Sequence, residues 1–349
     1  MNLIINNSTK IYKSTTKLHK MSISVDIDIR LWTFRIKILN YDTIDLMLQK
    51  ILSTIGIVGT MACIAIFLRE PSFPTPDKIL VFLIFVFMIF HRAIEMLKRF
   101  LPFVLILLAY ESFRGIADGL NKRVEYMWMV DVDRWLGFGT LPTVTLQNWW
   151  WHGHVMWYDF MFYLPYMLHF VIPISLALFV WKYRPSKYWQ VVVSYVTASF
   201  AAFFVFLAFP AAPPWMARDK GLIEPITRIS SDVWARLGIQ DFPTVYNQIS
   251  PNPVAAVPSL HAAYATIFAL YITTLFVSRW RFLAWIYPLL IYVGTVYQGE
   301  HYAIDEILGA LLAVAVFFAS PWITQKISIL LNVIVKRTKP YLARLHGKT

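Results

Sequence analysis

The chain has one cysteine among its 349 residues, so neither a disulfide framework nor a multi-cysteine metal centre can hold it together. Charge is also scarce. Only 15% of residues are Asp, Glu, Lys or Arg, against roughly a quarter in soluble domains, which excludes an ordinary water-soluble, disordered or coiled-coil protein. The first fifty residues carry lysines with no continuous apolar core behind them, and no cleavable signal peptide is expected. No repeat of fixed period and no soluble-domain stretch interrupts the chain, which reads as one membrane domain.

Apolar residues are abundant, at 58% hydrophobic and 17% aromatic, and they come in long blocks. These run from about Ile51 to Leu68, Ile79 to Phe90, Leu101 to Tyr110, Val155 to Trp181, Val191 to Phe209, Ala262 to Val277, Phe282 to Tyr297 and Ala303 to Trp322. Several approach the ~17–25 residues that cross a bilayer as a helix. The pattern predicts an all-α polytopic membrane helix bundle of about eight transmembrane helices. The second and third blocks are short, and a bent or re-entrant hairpin is the alternative there. Cys63, inside the first block, reads as a small buried hydrophobe.

If all eight blocks cross, the connections alternate sides. One side then collects 22 of the 32 lysines and arginines but 5 of the 20 acids. Basic residues gather on the cytoplasmic face, so both termini are expected there and the net charge of +12 is mostly a topology signal. The tail around Lys336, Arg337 and Lys339 also suits anionic headgroups. The expected organisation is a basic cytoplasmic region over 1–50, extra membrane helices over 51–110, a catalytic membrane domain over 111–325 and a basic cytoplasmic tail over 326–349. A mixed stretch from Ile29 to Leu39 is expected to lie on a membrane surface.

The large connections, 111–154 and 210–258, fall on the far side. Trp149, Trp150 and Trp151 fit an interfacial aromatic belt better than a base-stacking platform, so no nucleic-acid partner is expected. The second connection holds eight prolines, irregular backbone that must line a cavity or sit in headgroups.

Three stretches share this non-cytoplasmic edge: FPAAPPWMARDK (Phe209 to Lys220), VPSLHAAYA (Val257 to Ala265) and YQGEHYAIDEILG (Tyr297 to Gly309). His301 and Asp305 are four residues apart at a helix start, so their side chains share a face. A carboxylate beside an imidazole fixes its tautomer and makes the other nitrogen more basic, as a histidine nucleophile or general base needs. The competing reading is a polar pair closing a helix end. Glu300 and Glu306 read as acids favoured at a helix N-terminus. His261 follows Pro258 and Ser259, a plausible N-cap, so the first-turn amides there can receive an anion. Two histidines, one carboxylate and an anion-ready helix start describe phosphoryl transfer.

PSLH, HYAID and the proline-rich FPAAPPW segment resemble the signature motifs of the type-2 phosphatidic acid phosphatase superfamily. They look most like its branch containing fungal inositol phosphorylceramide synthase and prokaryotic relatives. The stretch DRWLGFGTLPTVTLQ (Asp133 to Gln147) is similar to a less specific upstream element of that branch. The resemblance covers roughly 130 to 320. It implies a six-helix catalytic core, with His301 as a nucleophile forming a phosphohistidine, Asp305 as its orienting partner, His261 as acid and base, and Ser259 near the phosphate. It implies no metal and no cofactor, so His152 and His154 read as interfacial histidines, two being too few for zinc in any case.

The departures are informative. The phosphatase branch has a Lys and an Arg-Pro pair in its first motif and a Ser-Arg pair before the third-motif histidine. Here the last two positions are Gly294 and Thr295, and only Arg218 and Lys220 stand near the first motif as replacement phosphate-binding cations. A phosphodiester, with one negative charge, needs fewer cations than a monoester dianion. The expected function is therefore movement of an inositol-phosphate-like headgroup from a phospholipid donor to a lipid alcohol on the extracytoplasmic side of the cell membrane. The alternatives are a lipid phosphate phosphatase with the same site, or a transporter or catalytically silent membrane scaffold in which His301, Asp305 and Glu306 serve a proton or ion path.

Overall fold

The computed structural model describes residues 21–28, 33–69, 75–238 and 252–345. The chain divides into two units, one of residues 1–72 and 80–101, the other of 73–79 and 102–349.

In the first unit β1 (Met21–Asp28) and β2 (Thr33–Asn40) pair antiparallel, Met21 opposite Asn40 and Asp28 opposite Thr33. Residues 33–39 of the stretch expected at a membrane surface belong to β2. The reason is legible: Ser22 to Asp28 and Arg35 to Ile38 alternate polar and β-branched residues with period two, which a helix cannot sort onto faces. Residues 29–32 lie outside the described residues. Helix α1 (Tyr41–Arg69) carries the first apolar block, and its Ser53 hydroxyl donates to the Ile89 carbonyl at the end of α2 (Pro76–Ile89).

Helix α3 (Ala93–Leu120) absorbs the short block Leu101 to Tyr110 into 28 residues. Polar flanks extend it in both directions, supported by i,i+3 ion pairs Arg92–Glu95 at 2.7 Å and Glu111–Arg114 at 2.8 Å. The second unit continues through two short helices, α4 (Met127–Leu136) and α5 (Pro142–Trp150), then α6 (Trp157–Met167), α7 (Val171–Tyr183) and α8 (Tyr188–Ala208). Short α9 (Pro214–Asp219) and α10 (Ile229–Arg236) precede α11 (Leu260–Leu275), α12 (Ile286–Tyr297) and the 43-residue α13 (Ala303–Leu345).

Apart from the β1–β2 hairpin, the regular elements among the described residues are helices, and the protein is an all-α membrane bundle. Among the described residues, three helices are long and apolar enough to cross a membrane, Asp45–Arg69, Pro185–Ala208 and Ala303–Thr338. The block from Val155 to Trp181, continuous in sequence, is two helices, α6 and α7, bent by 60°. Pro165 and Pro173 flank the break, and each removes a backbone donor that a straight helix would use. Helix α13 runs through most of the basic tail, because no glycine or proline interrupts it between Trp322 and Lys339.

The described part of the proline-rich connection holds the short helices α9 and α10 and, outside them, irregular backbone that finds its partners in other segments. Ala211 bridges in parallel to Glu125 and to Ala255, and the Ala211 and Ala212 amides donate to the Val254 and Glu125 carbonyls at 2.8 and 2.9 Å. Beside it, Trp150, Phe162 and Tyr297 pack with ring centroids 5.5–5.6 Å apart, joining α5, α6 and α12.

Candidate active site

Helix α11 begins as its sequence requires. Ser259 is in an extended conformation and its hydroxyl accepts the Ala262 amide at 3.2 Å, so the serine caps the helix and leaves His261 in the first turn. Helix α13 begins after a turn at Gly299, whose φ of +77° suits glycine. That turn delivers Glu300 and His301 just ahead of the helix. The two starts are tied directly: the Ser259 amide donates to the Asp305 carbonyl at 3.0 Å.

This junction needs Gly309. A Cβ there would lie 2.2 Å from the Ser259 carbonyl oxygen and 2.9 Å from the Ala262 Cβ. Gly309→Ala must therefore push α13 off α11. The expected cost is about 1–3 kcal/mol of stability, and activity should fall about tenfold or more as His261 and His301 separate. A melting curve and a turnover assay on the same preparation check both.

The result is a relay of three groups. His301 Nδ1 donates to Asp305 Oδ2 at 3.2 Å, and the same carboxylate oxygen accepts the Tyr302 amide at 2.9 Å. With Nδ1 holding the proton, the Nε2 lone pair points away from the acid and lies 3.2 Å from His261 Nδ1. His301 and Asp305 are buried. Burial would lower the His301 pKa, but the Asp305 hydrogen bond and the charges of Glu306, Asp305 and Glu300 outweigh it and hold the imidazole above its ordinary value. The arrangement supplies an oriented nucleophilic nitrogen with an acid–base partner beside it.

Several supporting residues were not singled out by sequence reasoning. Asp133 of α4 accepts the Ala303 and Ile304 amides through its two carboxylate oxygens at 2.8 and 2.9 Å, capping α13 from 170 positions away. Burial pushes its pKa up to about 7, partly countered by those amides and reinforced by the Asp305 charge. Gln147 of α5 donates to the Thr227 and Tyr297 carbonyls and accepts the Thr227 amide, each at 2.8 Å. The upstream element DRWLGFGTLPTVTLQ thus works as two struts. Asp133→Ala should lower the melting temperature by a few degrees, the consequence of losing about 0.5–2 kcal/mol of cap stabilisation. Thermal unfolding in detergent checks it.

Glu300 and Glu306 are more than acids at a helix start. Glu300 precedes α13 and forms a buried ion pair with Arg228 at 2.8 Å, accepts the Ser230 hydroxyl, and its arginine lies 4.1 Å over the Trp215 ring. Glu306 accepts the Thr295 hydroxyl at 2.9 Å. Arg218 and Lys220 are not brought to the histidines by any contact: Arg218 pairs with Asp219 and donates to the Ile226 carbonyl, and Lys220 lies over the Tyr126 ring. Ser259 spends its hydroxyl on the helix cap. His152 and His154 are exposed, with His154 Nδ1 3.2 Å from the His152 carbonyl. Around His261, the Tyr166 ring stacks at 4.5 Å and His169 lies at 4.4 Å. An ionisable residue inside an apolar block was the signal available for His169.

A model of the PAP2 superfamily matches residues 127–319, from the start of α4 into α13. The chain belongs to the PAP2 superfamily. Among curated PAP2 relatives, the chain is 30% identical over 169 residues to the inositol phosphorylceramide synthase catalytic subunit aur1 of Schizosaccharomyces pombe, covering 46% of this chain and 39% of that protein. Over 153 residues it is 30% identical to the phosphoinositol dihydroceramide synthase of Bacteroides thetaiotaomicron, covering 41% and 49%. Over 174 residues it is 29% identical to the inositol phosphorylceramide synthase of Candida albicans, covering 46% and 35%. The chain thus spans between about a third and a half of the length of these relatives. No solved structure matches it. Helices α1 and α2 and all of α3 lie outside the PAP2 match. Within it, Gly294 and Thr295 are locked in place: a Cβ at 294 would stand 3.1 Å from the Phe162 Cβ, and Thr295 is held by Glu306.

Proposed function

We propose that this PAP2 protein is a membrane phosphotransferase that moves a phosphorylated headgroup from a phosphodiester lipid to a lipid alcohol through a phosphohistidine at His301. The observation that carries the reading is the relay Asp305–His301–His261, joined at 3.2 Å in both links. In the first half, His301 Nε2 attacks phosphorus, the bond to the donor's lipid oxygen breaks, and His261 delivers its proton to that oxygen. In the second half, His261 takes the proton back from the acceptor hydroxyl, whose oxygen attacks phosphorus as the P–N bond breaks. No net proton is gained or lost. In the free protein the two imidazoles are in direct contact, so substrate entry requires the His261 ring to withdraw far enough to face the leaving oxygen.

The choice of a diester donor is supported by where the cations are. Arg218 and Lys220 are engaged elsewhere, Arg228 is paired with Glu300, and Thr295 stands where the phosphatase branch carries arginine. Arg114, itself paired with Glu111, acts on His261, and so sparse a positive field matches a singly charged diester better than a monoester dianion. The names of the relatives support a phosphoinositol lipid as donor and a ceramide-type alcohol as acceptor. The distribution of basic residues supports cytoplasmic termini and a site on the extracytoplasmic face of the cell membrane.

The test is a pair of assays on purified protein, one with phosphatidic acid as monoester, the other with phosphatidylinositol plus a ceramide. Headgroup transfer to the ceramide is expected. Rapid orthophosphate release from the monoester without transfer would overturn the reading in favour of a phosphatase, and inactivity toward both would favour a transporter.

A further inference from the structure

His169 stands at the break between α6 and α7, where residues 168–170 connect two helices bent by 60°. Its ring is 8% exposed. It lies parallel to Tyr264, with centroids 4.5 Å apart and planes 3° apart, and meets the His261 ring at 4.4 Å. Tyr166 stacks on His261 at 4.5 Å. Tyr166, His169 and Tyr264 therefore form an aromatic wall behind the acid–base histidine.

Packing explains the ring but not the nitrogens. His169 Nδ1 is buried and has no hydrogen-bond partner. Burying an unpaired polar atom costs roughly 1–3 kcal/mol, and a phenylalanine would fill the same space without that cost. A buried imidazole nitrogen without a hydrogen-bond partner beside His261 has the character of a group waiting for a ligand atom. The Arg114 guanidinium, on α3 and paired with Glu111 at 2.8 Å, acts electrostatically on both His169 and His261. An oxygen-bearing group, whether a neutral hydroxyl or an anionic phosphoryl group, fits there better than a cation.

We propose that His169 is a substrate-binding residue, its Nδ1 hydrogen-bonding to a hydroxyl or phosphoryl oxygen of a lipid bound beside His261. The inference rests on the phosphotransferase reading above. The oxygen has two sources, the headgroup of the phosphodiester donor or the polar end of the alcohol acceptor, and the kinetics separate them.

Three variants test it in full-length protein with phosphatidylinositol and a short-chain ceramide. His169→Phe keeps an aromatic ring against Tyr264 and His261 but removes both nitrogens. His169→Asn places an amide nitrogen near the Nδ1 position, and His169→Ala removes ring and nitrogen together. The Phe variant is expected to melt at or above the wild-type temperature yet show KM raised about tenfold for one substrate, the effect of one lost hydrogen bond, with kcat within about threefold. A rise confined to phosphatidylinositol assigns the oxygen to the donor, and one confined to the ceramide assigns it to the acceptor. The Asn variant should recover most of that loss, which a purely structural role would not allow. If His169→Phe does not fold, the Asn and Ala variants give the same comparison. Wild-type KM for both substrates in the Phe variant, or equal KM in Asn and Ala, would overturn the proposal while leaving the transferase reading intact. Absence of headgroup transfer in wild-type protein would instead remove the transferase reading.

Discussion

His301→Ala is expected to lower headgroup transfer by about a thousandfold or more, because the residue that takes the phosphoryl group is gone and the remaining groups have nothing to orient. Folding should survive. The side chain is small relative to the bundle, and its removal breaks contacts to His261 and Asp305 while the Tyr302, Ala303 and Ile304 amides keep the acceptors that fix the start of α13. A monodisperse, cooperatively melting but inactive protein is the signature sought. Activity within tenfold of wild type would end the nucleophile assignment. A protein that aggregates is separated from one that is inactive by gel filtration, and His301→Gln, closer in shape, then repeats the measurement.

Asp305→Asn is expected to cost about 10²–10⁴ in turnover, less than the loss of the nucleophile, since the carboxylate orients and does not react. The variant also changes pH dependence in a defined direction. In the wild type the Asp305 hydrogen bond and the neighbouring carboxylates hold His301 above its ordinary pKa. The protonated imidazole cannot attack phosphorus. Activity should therefore fall as pH drops through that raised value and recover above it. With asparagine at 305 the proton is held less tightly, and the ascending limb should move to lower pH even as the plateau falls. A pH profile of kcat/KM for both proteins checks this. A limb that stays in place would mean that another group controls it.

The site was legible in sequence where local rules govern it. Ser259 before an apolar run announced a helix cap, and the four-residue spacing of His301 and Asp305 announced a shared face, because capping and helical periodicity need only neighbouring residues. That His261 and His301 meet across forty positions followed from topology and from a resemblance, and the PAP2 match supports the same span. Partners separated by long chain stretches were not legible. Nothing in a single sequence pairs Asp133 with the Ala303 amide or Arg228 with Glu300, since the demand for a buried acceptor or counter-charge arises only after the helices pack. For the same reason Glu300 and Glu306 read as generic helix-start acids, and Arg218 and Lys220, judged by nearness in sequence, proved to have other partners. The hairpin over 21–28 and 33–40 had its alternation in plain view, but these residues were given no secondary structure by sequence reasoning.

The most direct test of the account is to trap the covalent intermediate. Wild-type protein is mixed with a phosphoinositol lipid labelled at phosphorus, without acceptor, then quenched in base and mapped by peptide. The account predicts an acid-labile, base-stable label on the peptide bearing His301, discharged when ceramide is added before the quench and absent from His301→Ala. Steady transfer by a protein that never carries label at residue 301 would contradict it.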